Sequence, residues 1–378
     1  MAHARSGQRL GKTCSRRCDP QRKTLVDPDV TVRLALVTLA VPEPMGQQAY
    51  ERELAARAPG ELGSDWRVDR VEVRTLRSPL PGTARVPSRL LTAGPATVRR
   101  ATGRLLYRGH DLVHRFDLRL PPAPAPEVLT IHDVVPWRFP DEAMPPSDAA
   151  SSARRAEVVV CPSQFSADEV ATELGVRAPV AIPNGVDRAF FDPAPFSETE
   201  LARHGIHPPF VLHAGGCSRR KNLEGLAAAW PLVRSRRPDA TLVLVGPRDV
   251  RRDQLFAPLP GTVRTGRLDA GSVPRLMAAA TSVVVPSLYE GFGLPALEAM
   301  AAGVPVVAAR RSALPEVCGD AALLVEPDAD ALAEGLVTVL AAEFDTGAAT
   351  ERGRRRAAGF TWEASAAAHA ALWREKAH

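Results

Sequence analysis

Short, continuous runs of apolar residues recur along the chain, with polar and alanine-rich stretches between them. The runs lie at residues 32–41, 111–114, 128–131, 210–214, 240–246, 282–286 and 304–307. Strands of a parallel sheet are buried on both faces, so they read as continuous apolar runs, and helices fill the stretches between them. The pattern therefore predicts an α/β fold with doubly wound parallel sheets.

The length of the chain predicts more than one domain. A chain of 378 residues exceeds what a single hydrophobic core usually organises. An Asn-Gly turn at residues 184–185 predicts a division into a Rossmann-like domain at residues 31–184 and a second one at residues 185–360. Residues 361–378 are predicted to form a terminal helix, with Thr361 as its N-cap.

Two carboxylates, Glu290 and Glu298, flank a glycine turn. The run at 282–286 predicts a strand, so Glu290 follows the carboxyl end of a strand, where open α/β sheets bind ligands. Glu298 falls one turn inside the following helix. We expect Glu298 to reach a pair of vicinal hydroxyls and Glu290 to reach the hydroxyls of a sugar. The alternative is that two glutamates have this spacing by chance.

The glycine turn itself suits an anion. Gly291 and Gly293 allow the backbone to approach a ligand closely. The helix expected to begin near Leu294 and Pro295 would present free amides and the positive end of its dipole. A diphosphate is an anion that such a helix start would bind.

Three cations, Arg219, Arg220 and Lys221, stand where a later helix is expected to begin. Cations are unfavourable at that end of a helix unless an anion offsets the dipole, so they favour a phosphate site. Lys221 is the strongest candidate, with Arg220 as a fork-shaped partner. The alternative is a solvated run of charges.

His132 follows the predicted strand at 128–131 and therefore faces the same kind of sheet edge. An imidazole there could donate to a hydroxyl or orient an acceptor. The alternative is a structural histidine that bonds a loop carbonyl. The neighbouring Asp133 is expected to cap the next turn, and Ser163 to be the N-cap of a helix.

These segments resemble, in order, the motifs of the family 4 retaining glycosyltransferases, from about Val32 to the C-terminus. The matching segments are a His-Asp loop at 130–133, a Pro-Ser helix start at 161–166, an Asn-Gly-Val-Asp segment at 182–187, an Arg-Lys-Asn loop at 219–222 and the signature at 289–309. The resemblance implies the GT-B fold, in which two Rossmann-like domains face a central cleft and a C-terminal helix crosses back to the first domain.

The resemblance also implies an activity and a set of site residues. The activity is retaining, metal-independent transfer of a hexosyl unit, mannosyl or glucosyl in type, from a nucleotide-diphosphate sugar to a hydroxyl of a glycan, lipid-linked or small-molecule acceptor. The implied catalytic residues are His132 and Glu290. The implied diphosphate contacts are Arg220, Lys221, Gly46, Gly293 and Leu294; the sugar contacts are Glu290, Gly291, Phe292 and Gly293; and the ribose contact is Glu298. Gly46 stands alone where the family has a Gly-Gly loop.

The distribution of charge and the cysteine content bear on the cellular location of the protein and on the kinds of ligand it binds. Of the net charge of +5, most belongs to residues 1–30, whose seven basic groups face three aspartates and predict a disordered basic arm. This arm lacks the apolar core of a signal peptide, and no apolar run elsewhere is long enough to span a membrane, so we expect a cytoplasmic protein, with peripheral contact at the inner face of the membrane left open. The five scattered cysteines argue against a disulfide framework, and the sequence shows no metal cluster and no cofactor motif.

Other functions remain open at this stage. A nucleotide-sugar epimerase or a phosphorylase would use the same double Rossmann scaffold. A dehydrogenase is disfavoured because residues 291–296 lack the third glycine of its Gly-x-Gly-x-x-Gly motif. A noncatalytic or degenerate nucleotide-sugar-binding protein is another alternative. A basic protein that binds an anionic surface rests on the arm alone, and we expect no nucleic-acid partner.

Overall fold

The computed structural model describes residues 32–42, 46–124, 126–343 and 345–377. The predicted arm at residues 1–30, with Cys14 and Cys18, lies outside this part of the chain. Within it, two separate sheets form, and all of their strand pairs are parallel. The predicted α/β class with two Rossmann-like sheets is confirmed.

The first sheet contains seven strands. They are β1 (Val32–Leu39), β2 (Trp66–Thr75), β3 (Ala84–Val86), β4 (Leu112–Arg115), β5 (Glu127–Thr130), β6 (Val158–Cys161) and β7 (Val180–Ala181), in the spatial order β3-β2-β1-β4-β5-β6-β7. The apolar runs predict β1, β4 and β5 to within two residues at each end. They do not predict β2, because charged residues alternate with apolar ones along it.

Six helices accompany this sheet. They are α1 (Gly46–Leu62), α2 (Arg89–Thr92), α3 (Ala96–Leu106), α4 (Val135–Arg138), α5 (Ala149–Arg155) and α6 (Gln164–Leu174). Ser163 is the N-cap of α6, as predicted, because its Oγ accepts from the amide of Ser166 at 3.0 Å. Asp133 also hydrogen-bonds the next turn, as predicted, since its Oδ1 accepts from the amide of Val135 at 3.1 Å, although the N-cap position of α4 is Val134.

The second sheet repeats this plan with six strands. They are β8 (Phe210–Ala214), β9 (Thr241–Val245), β10 (Thr262–Gly266), β11 (Ser282–Val285), β12 (Val306–Ala309) and β13 (Leu323–Val325), in the order β10-β9-β8-β11-β12-β13. In both sheets the order reverses next to the first strand. Ligands bind at that switch point in doubly wound sheets, here between β8 and β11. The predicted division at residues 184–185 falls between β7 and β8.

In the described part of the chain, nine further helices follow β7. They are α7 (Glu198–Arg203), α8 (Leu223–Arg236), α9 (Val250–Phe256), α10 (Ser272–Ala278), α11 (Leu294–Ala301), α12 (Leu314–Cys318), α13 (Ala329–Leu340), α14 (Thr346–Ala357) and α15 (Trp362–Lys376), with 3-10 helices at Arg188–Phe190 and Arg219–Lys221. Among the described helices, none has both the length and the apolar character needed to cross a bilayer.

The last helix, α15, returns to the first sheet, as expected. Trp362 and Trp373 are buried in the same cluster as residues of β1 and α1. Thr361 caps the helix by accepting from the amide of Ala364 at 3.0 Å. Gly185 lies at the crossing point, because a Cβ there would stand 2.2 Å from the amide nitrogen of Trp362. No larger residue would let the two chain segments pass this closely.

Direct hydrogen bonds join the two sheets' domains. Ser163 and Ser166, at the start of α6, donate from their hydroxyls to the carbonyl oxygen of Gly291 at 2.6 and 2.8 Å. In the other direction, the Glu316 carboxylate of α12 accepts from the amides of Gln164 and Phe165 at 2.8 and 2.9 Å. The start of α6 is therefore held by groups from the opposite domain.

Candidate active site

The loop that follows β11 carries the carboxylate predicted to bind a sugar. Glu290 is buried, and its Oε1 accepts from Lys221 Nζ at 2.6 Å and from Ser287 Oγ at 2.7 Å. Its own amide donates to Ser312 Oγ at 2.9 Å. The sequence places Glu290 and Lys221 in separate motifs, and the fold brings them together at the switch point.

Charge keeps the Glu290 carboxyl ionised despite its burial. Burial raises the pKa of this group, but the charges of Lys221 and Arg220 outweigh that effect and hold the pKa below its ordinary value. The Arg220 guanidinium stands 3.5 Å from Glu290 Oε2. An anionic carboxylate between two cations can accept hydrogen bonds from a sugar and balance positive charge at a reacting centre.

The three basic residues are arranged differently from the prediction. Arg219, Arg220 and Lys221 form a 3-10 helix, and α8 begins only after it, with Asn222 as the N-cap. The prediction that the cations begin a helix is therefore wrong, because Asn222 adopts a left-handed conformation (φ 55°) that separates the two elements. Lys221 instead points to Glu290, which supplies the negative charge that holds it.

Arg220 and Arg219 also reach the first domain. The Arg220 amide and Nε donate to the two oxygens of Glu142 at 3.1 and 3.2 Å. Arg219 pairs with Asp141 at 3.0 Å, and both side chains are exposed. Arg220 is thus fixed between carboxylates of both domains, whereas Arg219 lies at the rim.

Two helix N-termini meet beside this cluster. Helix α11 begins at Leu294 after Gly293, which has φ 105° and so favours glycine, and no side chain caps it. Helix α1 begins at Gly46, where a Cβ would lie 3.8 Å from Leu294 Cδ1. The structure therefore brings together three of the residues predicted to contact a diphosphate, and the positive ends of two helices adjoin.

Two of the residues predicted to contact a sugar, Gly291 and Phe292, pack against other parts of the protein. Gly291 packs against the first domain, since a Cβ there would stand 2.3 Å from the carbonyl oxygen of His132. The Phe292 ring is buried and packs edge-on against Phe360, with 5.8 Å between ring centroids. Because this ring faces the core, the predicted sugar contact of Phe292 falls to its backbone, and it stays a prediction.

Glu298 lies one turn inside α11, as predicted, and is half-buried. Burial, together with the negative charge of Asp187, raises the pKa of Glu298 to about 7. Among the described residues, none donates a hydrogen bond to its carboxyl group. A ligand with hydroxyl donors would supply what this carboxyl lacks, which is consistent with the predicted ribose contact.

His132 follows β5 and reaches a cavity of about 570 Å³ between the domains. Its Nε2 is buried and has no hydrogen-bond partner in the described structure. Burial lowers the pKa of His132 to about 4, although the charge of Asp117 opposes the shift. The Tyr50 ring packs edge-on against the imidazole, with 4.9 Å between centroids. This neutral ring therefore has one nitrogen that lacks a hydrogen-bond partner in the described structure, which is consistent with the prediction of an acceptor-side histidine.

His213, which lies near the end of β8, was not among the predicted site residues. It is buried, its Nδ1 has no hydrogen-bond partner in the described residues, and burial with the charges of Arg252 and Lys221 lowers its pKa to about 3. The signal was present in the sequence, since His213 occupies the carboxyl end of a strand just as His132 follows one. Glu142 was also missed, and nothing in its local sequence marks it.

Two family models match the chain. One, described as Glycosyltransferase Family 4, matches residues 37–190, and the other, described as Glycosyl transferases group 1, matches residues 208–342. The first match contains His132, and the second contains Lys221, Glu290 and Glu298. Each of the two sheets therefore falls largely within one model.

Curated relatives agree with these matches. The O-antigen chain mannosyltransferase B of Escherichia coli is 39% identical over 165 residues, which are 41% of this chain and 42% of that protein. The MMP α-(1→4)-mannosyltransferase of Mycolicibacterium hassiacum is 34% identical over 238 residues, which are 60% of this chain and 55% of that protein. The chain spans about half the length of the curated relatives it matches.

Solved structures share the whole architecture. A sucrose-phosphate synthase from Thermosynechococcus elongatus superimposes with a TM-score of 0.71 at 24% identity, over 91% of this chain and 99% of that one. Anabaena HepE, solved with UDP and glucose, superimposes with a TM-score of 0.67 at 18% identity, over 91% and 100% of the two chains. These likenesses establish the GT-B fold. The two family models and the curated relatives show that the chain belongs to the family 4, group 1 glycosyltransferases.

Proposed function

We propose that this protein transfers a hexosyl unit from a nucleotide-diphosphate sugar to a hydroxyl of an acceptor, with retention of anomeric configuration. The observation that carries the proposal is the meeting of Lys221, Arg220 and Glu290 with the uncapped start of α11 at the switch point of the second sheet. Cations and a helix N-terminus suit a diphosphate, and a buried carboxylate suits a sugar.

The leaving group sets the main chemical demand. When the bond between the anomeric carbon and the diphosphate oxygen breaks, its electron pair stays on the phosphate. Lys221 and the amides at the start of α11 are placed to stabilise that developing charge, and removing one such donor commonly costs about 10²–10³ in kcat. Since these groups supply positive charge themselves, we propose that transfer needs no divalent metal and no cofactor.

The acceptor side follows from His132 and its cavity. We propose that the acceptor hydroxyl binds near His132 Nε2 and attacks the face from which the diphosphate departs, while its proton passes to the departing phosphate oxygen. Glu290 positions the sugar and balances positive charge on it, so we assign it no covalent intermediate. A neutral His132 can orient the hydroxyl throughout the neutral pH range.

The relatives favour one sugar. The proteins from Escherichia coli and Mycolicibacterium hassiacum are named mannosyltransferases, and one from Mycobacterium tuberculosis, 30% identical over 228 residues, is named as GDP-mannose-dependent. We therefore propose mannosyl transfer first and glucosyl transfer second. The acceptor would be a glycan, a lipid-linked sugar or a small polyol, and a cytoplasmic enzyme at the inner face of a membrane could reach all three.

Transfer with purified full-length protein tests the proposal. GDP-mannose and UDP-glucose are each incubated with mannoside, glucoside and inositol acceptors, and NMR follows both release of the nucleoside diphosphate and the configuration of the new linkage. We expect one donor to give an α-linked product without added metal and in the presence of a chelator. An inverted product would refute retention, and binding of a donor without any turnover would instead indicate a noncatalytic binder.

A further inference from the structure

The face of β2 that α1 covers changes character along the strand. Near its beginning, Trp66 and Val68 pack against the apolar cluster under α1 and α15. Further along, Arg70 and Glu72 occupy the same face, because side chains two residues apart point the same way. In the described chain, residues 76–83 connect β2 to β3 without a helix. The polar end of this face is therefore left as a groove beside α1.

This groove is a cavity of about 320 Å³. Its lining combines hydrogen-bond donors and acceptors with apolar side chains. The polar and charged residues are Thr38, Gln48, Glu51, Arg52, Arg70, Glu72 and Thr83, and the apolar ones are Leu36, Leu39, Val41 and Ala55. It opens at the carboxyl end of β1, the edge of the sheet where ligands bind in this kind of fold. Such a lining suits a ligand that offers hydroxyl groups around an apolar C–H face, as a sugar ring or a cyclic polyol does.

The groove contains one buried carboxyl group, that of Glu51, whose pKa is raised. Glu51 is 5% exposed, and its Oε1 accepts from Gln47 Nε2 at 3.0 Å. Among the described residues, none donates to its other oxygen. Burial raises the pKa of Glu51 to about 8; the hydrogen bond from Gln47 and the charge of Arg119 oppose the shift, and the charges of Asp117 and Glu72 add to it. A neutral carboxyl group can both donate and accept a hydrogen bond, and a hydroxyl group of a ligand can do the same, so the two can pair.

The groove adjoins the cavity that contains His132. Gln47 lines that second cavity, and its Nε2 also donates to the carbonyl oxygen of Phe116 at 3.0 Å. The hydrogen-bonded pair of Gln47 and Glu51 is therefore the boundary between the two cavities. A ligand whose reacting end lies near His132 would have its next unit close to this boundary.

We propose that the groove between α1 and β2 is a second acceptor subsite, which binds a hydroxyl-rich unit adjacent to the one that receives the transferred sugar. The inference rests on the proposed function and makes it more specific: the acceptor is extended by at least one further sugar or cyclic polyol. Glu51 and Glu72 hydrogen-bond the hydroxyls of that unit.

Calorimetry on the full chain saturated with GDP or UDP tests the subsite. The probes are methyl α-mannoside and the corresponding α-linked methyl dimannoside. We expect the dimannoside to bind at least tenfold more tightly than the mannoside. Glu72→Ala should lower the dimannoside affinity about tenfold and the mannoside affinity less than twofold. Glu51→Leu, which keeps the buried position filled, should act in the same way.

The control is Glu61→Ala, a substitution on the same helix but outside the groove, which should change neither affinity. Equal affinities for the two glycosides, undetectable binding of both, or an equal effect of Glu72→Ala on both would overturn the subsite. Failure of the proposed function gives a different result, because then neither nucleoside diphosphate binds. Nucleotide binding without a preference for the dimannoside therefore removes the subsite alone.

Discussion

Lys221 Nζ and Glu290 Oε1 lie 2.6 Å apart, although 69 residues separate them in the chain. The pair joins the loop after β8 to the loop after β11. Because an ammonium group has three donors and Glu290 takes one, Lys221 retains donors for a phosphate oxygen. The pair therefore sets the position of the cation that we propose binds phosphate with respect to the carboxylate that we propose binds the sugar.

Lys221→Ala should weaken binding of the nucleoside diphosphate roughly 10–100-fold, because it removes a charge-assisted hydrogen bond of about 1.5–3 kcal/mol. Calorimetry measures the change. Lys376→Ala provides the control, since Lys376 lies on α15 and pairs with Glu375. Equal affinities in the wild type and Lys221→Ala would show that Lys221 does not contact the diphosphate.

Gly291→Ala should push the two domains apart where Gly291 packs against His132. The new Cβ would stand 2.3 Å from the carbonyl oxygen of His132, which is backbone and cannot turn away. We expect kcat to fall by at least tenfold while nucleotide affinity changes little. Gly60→Ala is the matched control, because a Cβ there meets no atom within 4 Å. Unchanged kcat in Gly291→Ala would mean that this contact is not needed for turnover.

Glu298 should make the free energy of unfolding depend on pH. Its folded pKa of about 7 lies above the ordinary value of 4.5, so the folded state holds a proton that the unfolded state releases. The contribution of Glu298 to stability is therefore complete below pH 4.5 and is lost as pH rises to 7. Glu298→Gln removes this loss.

Urea unfolding at pH 4.5 and pH 8 measures the effect. Relative to the wild type, Glu298→Gln should gain on the order of 1–3 kcal/mol between the two values. Glu61→Gln, on an unrelated helix, should show no such gain. If Glu298→Gln follows the wild type at both pH values, the carboxyl has an ordinary pKa.

In a separate titration, Glu298→Ala should weaken donor binding, and unchanged affinity would refute the ribose contact.

His132 should remain neutral well below the pH at which histidines usually titrate. Burial lowers its pKa to about 4. Titration of its ring proton by NMR, assigned by comparison with His132→Asn, should therefore show no transition between pH 5.5 and 8. A transition near pH 6.5 would mean that the ring is hydrated and that its cavity is more open than the structure shows.

Much of this architecture could be predicted from the sequence, because buried parallel strands leave continuous apolar runs. Strand β11 and the start of α11 are examples, since Val283, Val284 and Val285 precede the glycine turn directly. Strand β2 could not be predicted, because charged residues alternate with apolar ones along it. Two of them, Arg70 and Glu72, lie at the end of the α1-side face, where the described residues 76–83 form no helix to cover them. The positions of site residues such as His132 and Glu290 were predictable, because each of them follows the carboxyl end of a predicted strand. Glu142 and the Lys221–Glu290 pair depend on contacts between distant segments, which no local pattern encodes.

The most direct test of the account compares donor binding with donor turnover in Glu290→Gln. This substitution keeps the size of the side chain and removes the charge between Lys221 and Arg220. The account predicts that nucleoside diphosphate affinity stays within about threefold of the wild type, while transfer of the sugar falls by at least 10²-fold. Glu290→Gln protein that transfers sugar at the wild-type rate would contradict the central claim that this carboxylate belongs to the active site.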